Sequence, residues 1–311
     1  MARLARVKAE ECGAYYHLCG RVAGVKGEYP LADKRCRRQL ISFIRFFSGI
    51  YCLKVLGFSI MGDHYHLVVY MEPPRKMSRK ELRSRAAFLY DDAVLDGWFQ
   101  ANWDRFYSRI FDVSELMRSL QAKIARWYNA THNRRGRFWA ERFKSVLLED
   151  EKEAYDCLLY VELNPVRAGM VARPEEYEGS SLYYREIRDD KWMAPITEIT
   201  RTPKRAIALR DYKGAVYYRG SVPTKENQAV ISNRLLKQEV SRGFATEGLF
   251  TKRLRHFTDG VVIGSESFVK EKLDRLRETG TYLRRKNPVS QLNGAHGCLR
   301  PQRESSPNIR Y

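Results

Sequence analysis

The chain has 311 residues, a formal net charge of +19 and a pI of about 9.7, which is more positive charge than solubility requires and points to a polyanion, nucleic acid ahead of an anionic membrane surface. Its 44% hydrophobic content suffices for an ordinary core, but no apolar run approaches the roughly 18 residues of a membrane span, so no membrane association is expected. Met1 to Lys8 carry charge without an apolar stretch, so no secretory signal is read; the expected location is the cytoplasm, in association with the nucleoid.

In chain order, residues 14–22 read as a first strand, and Leu40, Ile41, Ile44 and Phe47 fall at helical spacing within 33–48. Residues 50–60 form a second strand. Gly62 and Asp63 then break two apolar runs, the signature of a hairpin turn. The following strand, His64-Tyr65-His66-Leu67-Val68-Val69-Tyr70, is β-prone enough to be interior. Residues 72–110 carry Arg/Lys-rich helical patterns. Ser114 is a suitable N-cap for a helix to about Asn129, with Leu116, Leu120, Ile124 and Trp127 on one stripe. An arginine-rich loop fills 132–145, a strand covers 143–148, and a helix runs from about Lys152 to Leu163, where Pro165 is expected to stop it.

The order β-α-β-β-α-β-α predicts an α+β ferredoxin-like sandwich, an antiparallel sheet with helices on one face, extended by a mostly helical C-terminal part. The expected organisation is a domain over 1–188, a linker over 189–205, a helical accessory region over 206–285 with patterns at 225–241 and 264–278, and a disordered basic tail over 286–311. Ser265 and Glu266 suit the start of the last helix. The six cysteines include no Cys-x-x-Cys pair, so reduced, structural thiols are expected rather than a disulfide framework.

Three stretches carry the chemistry. His64 and His66 alternate on a strand and so project from one face, where two neutral imidazoles can share a divalent metal or stand as polar residues on a solvated face. Tyr160 and Asn164 are one helical turn apart on one helix face. A tyrosine hydroxyl beside a metal can attack phosphorus, although it can equally be a core residue with its hydroxyl at the rim. Arg134, Arg135, Arg137, Arg142 and Lys144 offer phosphate contacts, and Phe138 and Trp139 offer stacking surfaces; the alternative is a solvated basic face over core aromatics. His17, His132, His256 and His296 lack paired partners and read as structural or surface residues.

Taken together, Met61–Val69, Gly136–Ser145 and Tyr160–Gly169 resemble the single-tyrosine HUH transposases, most closely the REP-associated tyrosine transposases; the resemblance spans roughly residues 12–185. It implies a ferredoxin-like fold whose central strand carries a histidine–hydrophobic–histidine pattern, matched by His64, Tyr65 and His66. It also implies Tyr160 as nucleophile, and Mg2+ or Mn2+ held by His64, His66 and Asn164. The implied activity is cleavage and rejoining of single-stranded DNA near hairpins through a 5′-phosphotyrosine. Where that family has Pro-Asn before the first histidine, this chain has Gly62-Asp63, a change expected to alter the turn and not the ligands. Some relatives exchange the tyrosine helix within a dimer, so both a monomer and a homodimer are compatible with the resemblance. Two other readings are a DNA-binding protein of the same fold without activity, and a metal-dependent phosphodiesterase that uses water.

Overall fold

The computed structural model describes residues 12–24, 29–224, 227–243 and 262–278, and the backbone of two short strands at 289–290 and 296–297. Strand β1 (Ala14–Arg21) lies between β3 (His64–Met71) and β4 (Lys144–Leu148), and β2 (Leu53–Ile60) pairs with β3; all three pairings are antiparallel. The resulting order β2-β3-β1-β4 is that of a ferredoxin-like sheet.

Helices α1 (Lys34–Ser48) and α5 (Val113–Thr131) cross over one face of this sheet. Alternation along the strands decides what each face meets. Tyr16, Leu18, Tyr65, Leu67 and Val69 pack against Leu40, Ile44, Leu116, Leu120 and Ile124. Burying each such aliphatic side chain stabilises the fold by roughly 1.5–3 kcal/mol. Three short helices, α2 (Arg79–Ala86), α3 (Asp92–Asp96) and α4 (Gln100–Ile110), fill the segment before α5. Helix α5 begins at Val113, one residue ahead of the expected N-cap Ser114, because the Asp112 carboxylate accepts from the Ser114 N–H at 2.6 Å.

The opposite face is covered by α6 (Glu151–Arg167), with Val68, Val146 and Leu148 beneath Leu158, Leu159 and Val161. Pro165 does not stop α6, which continues to Arg167. Proline has no N–H to offer the Val161 carbonyl. That carbonyl instead accepts from the Asn164 side-chain amide at 3.3 Å, and the same amide donates to the Tyr160 carbonyl at 3.0 Å.

The chain then packs back onto this layer. After α7 (Ser181–Glu186), the segment expected as a linker carries α8 (Ile196–Thr200), and the Ala194 N–H donates to the Val55 carbonyl at 2.8 Å. Asp190 binds Arg205 at 2.9 Å and the buried Arg185 at 3.4 Å. Helix α9 (Arg205–Ser221) lies on α6, joined to it by Arg219 and Asp156 at 2.8 Å; α10 (Asn233–Val240) packs on α9. Strand β5 (Val262–Gly264) extends the sheet parallel to β4 and leads into α11 (Glu266–Glu278). Ser265 caps α11 through the Phe268 N–H at 3.3 Å, as its sequence suggests. Strands β6 (Val289–Ser290) and β7 (His296–Gly297) complete a sheet of order β2-β3-β1-β4-β5-β7-β6. Apart from these two strands, the tail expected to be disordered lies outside the described residues, as does His256. Among the described residues, no helix is long and apolar enough to cross a membrane.

Candidate metal and tyrosine site

The strand period that sends Tyr65 into the α1/α5 layer sends its neighbours His64 and His66 toward α6. Tyr65 is accommodated because Gly20 stands opposite it in register. A Cβ at position 20 would lie 2.5 Å from the tyrosine ring. On the α6 side the His64 and His66 rings are 5.0 Å apart, edge to face. Tyr160 of α6 sits edge-on to His66 at 5.6 Å and to His17 at 6.1 Å. The fold therefore brings together both histidines and the tyrosine singled out in the sequence.

Each histidine is held through its Nδ1. His64 Nδ1 lies 2.6 Å from Asp63 Oδ1, and Asp63 also binds Arg21 at 2.9 Å. Burial pushes the Asp63 carboxyl up, but the hydrogen bond and charge of His64, with Arg21, outweigh it and leave the group below its ordinary range. The neighbouring His66 has its Nδ1 2.9 Å from His17 Nε2 and 3.2 Å from the Cys19 sulfur. Its Nε2 is buried and has no hydrogen-bond partner. Burial, reinforced by His17 and His64, holds the imidazole well below its usual range, so it is neutral. A neutral imidazole whose Nδ1–H is donated to a neighbour presents a bare lone pair at Nε2, the form a metal requires.

Asn164 is placed differently. Its amide nitrogen is committed to the Tyr160 and Val161 carbonyls, which turns the amide oxygen away from its own helix. Among the described residues it makes no polar contact with either histidine.

His17, Cys19 and His66 form a cluster whose ligand atoms all lie within 4.8 Å of one another and could hold a metal ion. His17 is thus part of the site, not an isolated structural residue. The signal was available: His17-x-Cys19 alternates on β1 as His64-x-His66 does on β3, and Cys19 and His66 are register partners. Burial pushes the Cys19 thiol up to about 12 against the pull of Lys144. All five described cysteines are free thiols.

The arginine-rich loop runs along the same end of the sheet. Val22 bridges Trp139, the Ala140 N–H donates to the Arg21 carbonyl at 2.9 Å, and Arg21 is the register partner of His64. Arg135, Arg137, Arg142 and Lys144 are exposed and Arg134 is half-buried. Trp139 is half-buried, its indole N–H donating to the Gln121 carbonyl at 2.9 Å. Phe138 is only 2% exposed, packed on Tyr128 and Trp139, so it is a core residue and not a stacking surface. His132 stacks on Tyr128 at the surface.

No protein-family model matches the chain, and no curated protein does. Among solved structures, the chain is similar to a REP-associated tyrosine transposase bound to a REP hairpin. The two are 11% identical with a TM-score of 0.36, over 61% of this chain and 87% of the other. That likeness is too distant to place the chain in a family.

Proposed function

We propose that this chain is a metal-dependent tyrosine DNA endonuclease and strand transferase, a transposase acting on single-stranded DNA beside hairpins. One observation carries the reading: Tyr160 packs edge-on against His66, whose buried Nε2 has no partner, with His64 on the same face. The residues fit a divalent ion. Two imidazoles oriented through Nδ1 offer their Nε2 atoms, and the outward amide oxygen of Asn164 is the candidate third donor. Two nitrogens with an amide oxygen suit a weakly held Mg2+ or Mn2+. When bound, such an ion supplies charge stabilisation for the non-bridging oxygens of a phosphodiester.

Tyr160 Oη attacks the scissile phosphorus, forming the Oη–P bond as the P–O3′ bond breaks. The phenol proton is lost and the departing 3′-oxygen gains one, leaving a 5′-phosphotyrosine and a free 3′-OH. Attack by another 3′-OH reverses the step and rejoins DNA without an external energy source. Arg167, two turns further along α6, supports the phenolate. Burial pulls its guanidinium down to about 10, and the charge of Tyr160 works against that shift, so the two charged forms favour each other. Arg134, Arg135, Arg137, Arg142 and Lys144 hold the DNA backbone, and the exposed part of Trp139 meets an unpaired base. The same basic surface and the +19 charge favour a location with the nucleoid. Both a monomer and a homodimer accommodate this chemistry.

The test is a gel assay with labelled single-stranded hairpin DNA and Mn2+, comparing wild type with Tyr160→Phe. The expected result is a protein-linked label with wild type alone. Binding by both proteins without any adduct would identify a DNA-binding protein of the same fold. Cleavage by both would identify a phosphodiesterase that uses water.

A further inference from the structure

We propose that His17, Cys19 and His66 form a second metal site, selective for a thiophilic ion of the Zn2+ class, and that filling it withdraws His66 from the site beside Tyr160. The second half rests on the function proposed above; the first half does not.

The donor set is one thiol sulfur and two imidazole nitrogens, which selects zinc-like ions over Mg2+ or Mn2+. The spacing is close to what such an ion needs. Tetrahedral zinc, with Zn–N of about 2.05 Å and Zn–S of about 2.3 Å, separates two nitrogens by about 3.3 Å and sulfur from nitrogen by about 3.6 Å. Here the nitrogens are 2.9 Å apart, and the sulfur lies 3.3 Å from His17 Nε2 and 3.2 Å from His66 Nδ1. Opening the triangle by a few tenths of an ångström suffices. The three residues stand on adjacent paired strands, so the sheet itself holds them. On binding, the Cys19 S–H bond breaks, its proton goes to solvent, and the thiolate offsets part of the ion's charge.

The exclusion follows from the imidazole. Binding to the cluster uses the His66 Nδ1 lone pair, whereas the site beside Tyr160 needs Nε2, which is buried and open. A neutral imidazole has one lone pair and one N–H. An ion on Nδ1 therefore puts the proton on Nε2 and removes that nitrogen as a ligand.

Metal-free protein titrated with Co2+ tests the site. One equivalent should give a thiolate-to-cobalt charge-transfer band that one equivalent of Zn2+ abolishes. The band should disappear in Cys19→Ser and persist in Tyr160→Phe and His64→Ala. His17→Gln, which leaves the thiol in place, should weaken Zn2+ binding about tenfold or more, so the site remains testable if Cys19→Ser does not fold. A wild type without the band, or a Cys19→Ser protein that keeps it, overturns the site. Mn2+ EPR tests the exclusion: Zn2+ at one equivalent should release bound Mn2+ from wild type, and release from Cys19→Ser should need about tenfold more Zn2+. Simultaneous retention of both ions overturns the exclusion. A protein that shows the cobalt band but never holds Mn2+ sinks the proposed function and leaves the second site standing.

Discussion

Asp63 in the hairpin turn and His17 on β1 perform the same service: each engages the Nδ1 of one histidine and leaves its Nε2 uncommitted. Such partners commonly account for 10–100-fold in metal affinity. Asp63→Ala should therefore weaken Mn2+ binding by about 10–100-fold in calorimetry with little change in thermal stability; unchanged affinity would show that Asp63 serves only the turn. Strand and helix periods assign His64, His66 and Tyr160 a face each, but it was the resemblance to the single-tyrosine HUH transposases that singled Tyr160 out from the other tyrosines. Asp63 read only as a turn residue, and His17 as unpaired, because their partners follow from contacts within the hairpin and from the β1–β3 register. Asn164 was legible as a residue on the tyrosine's face, but its engagement with the carbonyl that Pro165 cannot satisfy requires the helix to continue, against the usual expectation for proline.

The element that decides the site is α6, and it is fastened by buried polar groups as well as by its apolar stripe. Glu162 is fully buried; its carboxylate accepts from the Ser181 hydroxyl, from the Leu182 N–H at 3.2 Å and from the Tyr212 hydroxyl at 3.4 Å. Burial pushes this carboxyl from 4.5 up to about 7, against those hydrogen bonds and the charge of Arg185. The folded protein thus keeps a proton that the unfolded chain has lost. The stability linked to it is intact below pH 4.5 and is lost as the pH rises through about 7. Glu162→Gln should match wild type in denaturant stability at pH 4 and exceed it at pH 8 by up to about 3 kcal/mol. A variant equally destabilised at both pH values would show that the carboxylate geometry matters more than its charge. This tie was hidden in the sequence: Glu162 carries no local signature of burial, and its partners lie on α7 and α9.

At the scale of the whole molecule, exposed basic side chains adjoin the candidate site. Arg135, Arg142 and Lys144 have exposed side chains in the loop and strand start that adjoin the Arg21–Val22 end of β1, which pairs with His64; under the function proposed above, phosphates held there would run toward Tyr160. Replacing these three by alanine should reduce the slope of log affinity against log salt for single-stranded DNA by about 2, measured by fluorescence anisotropy. An unchanged slope would place the DNA path elsewhere. The ferredoxin-like strand order and the helical C-terminal extension were legible from the alternation of strand and helix patterns. The attachment of that extension was not, because it depends on pairings between residues such as Arg219 and Asp156 or Tyr212 and Glu162, far apart in sequence and without a local signature.

The pairing of β4 with β5 has a consequence for the life of the chain before it is complete. Val146, Leu147 and Leu148 form an apolar strand, and β5, beginning at Val262, is what covers its outer side. Glu149 fastens that strand by accepting from the Ser265 hydroxyl at 2.8 Å. During synthesis the ribosome delivers β4 long before β5, so the nascent protein passes through an interval with unsatisfied backbone groups along an apolar border, a template on which neighbouring chains can add. A polypeptide ending near residue 188 would retain every residue of the tyrosine site and remain in that interval permanently.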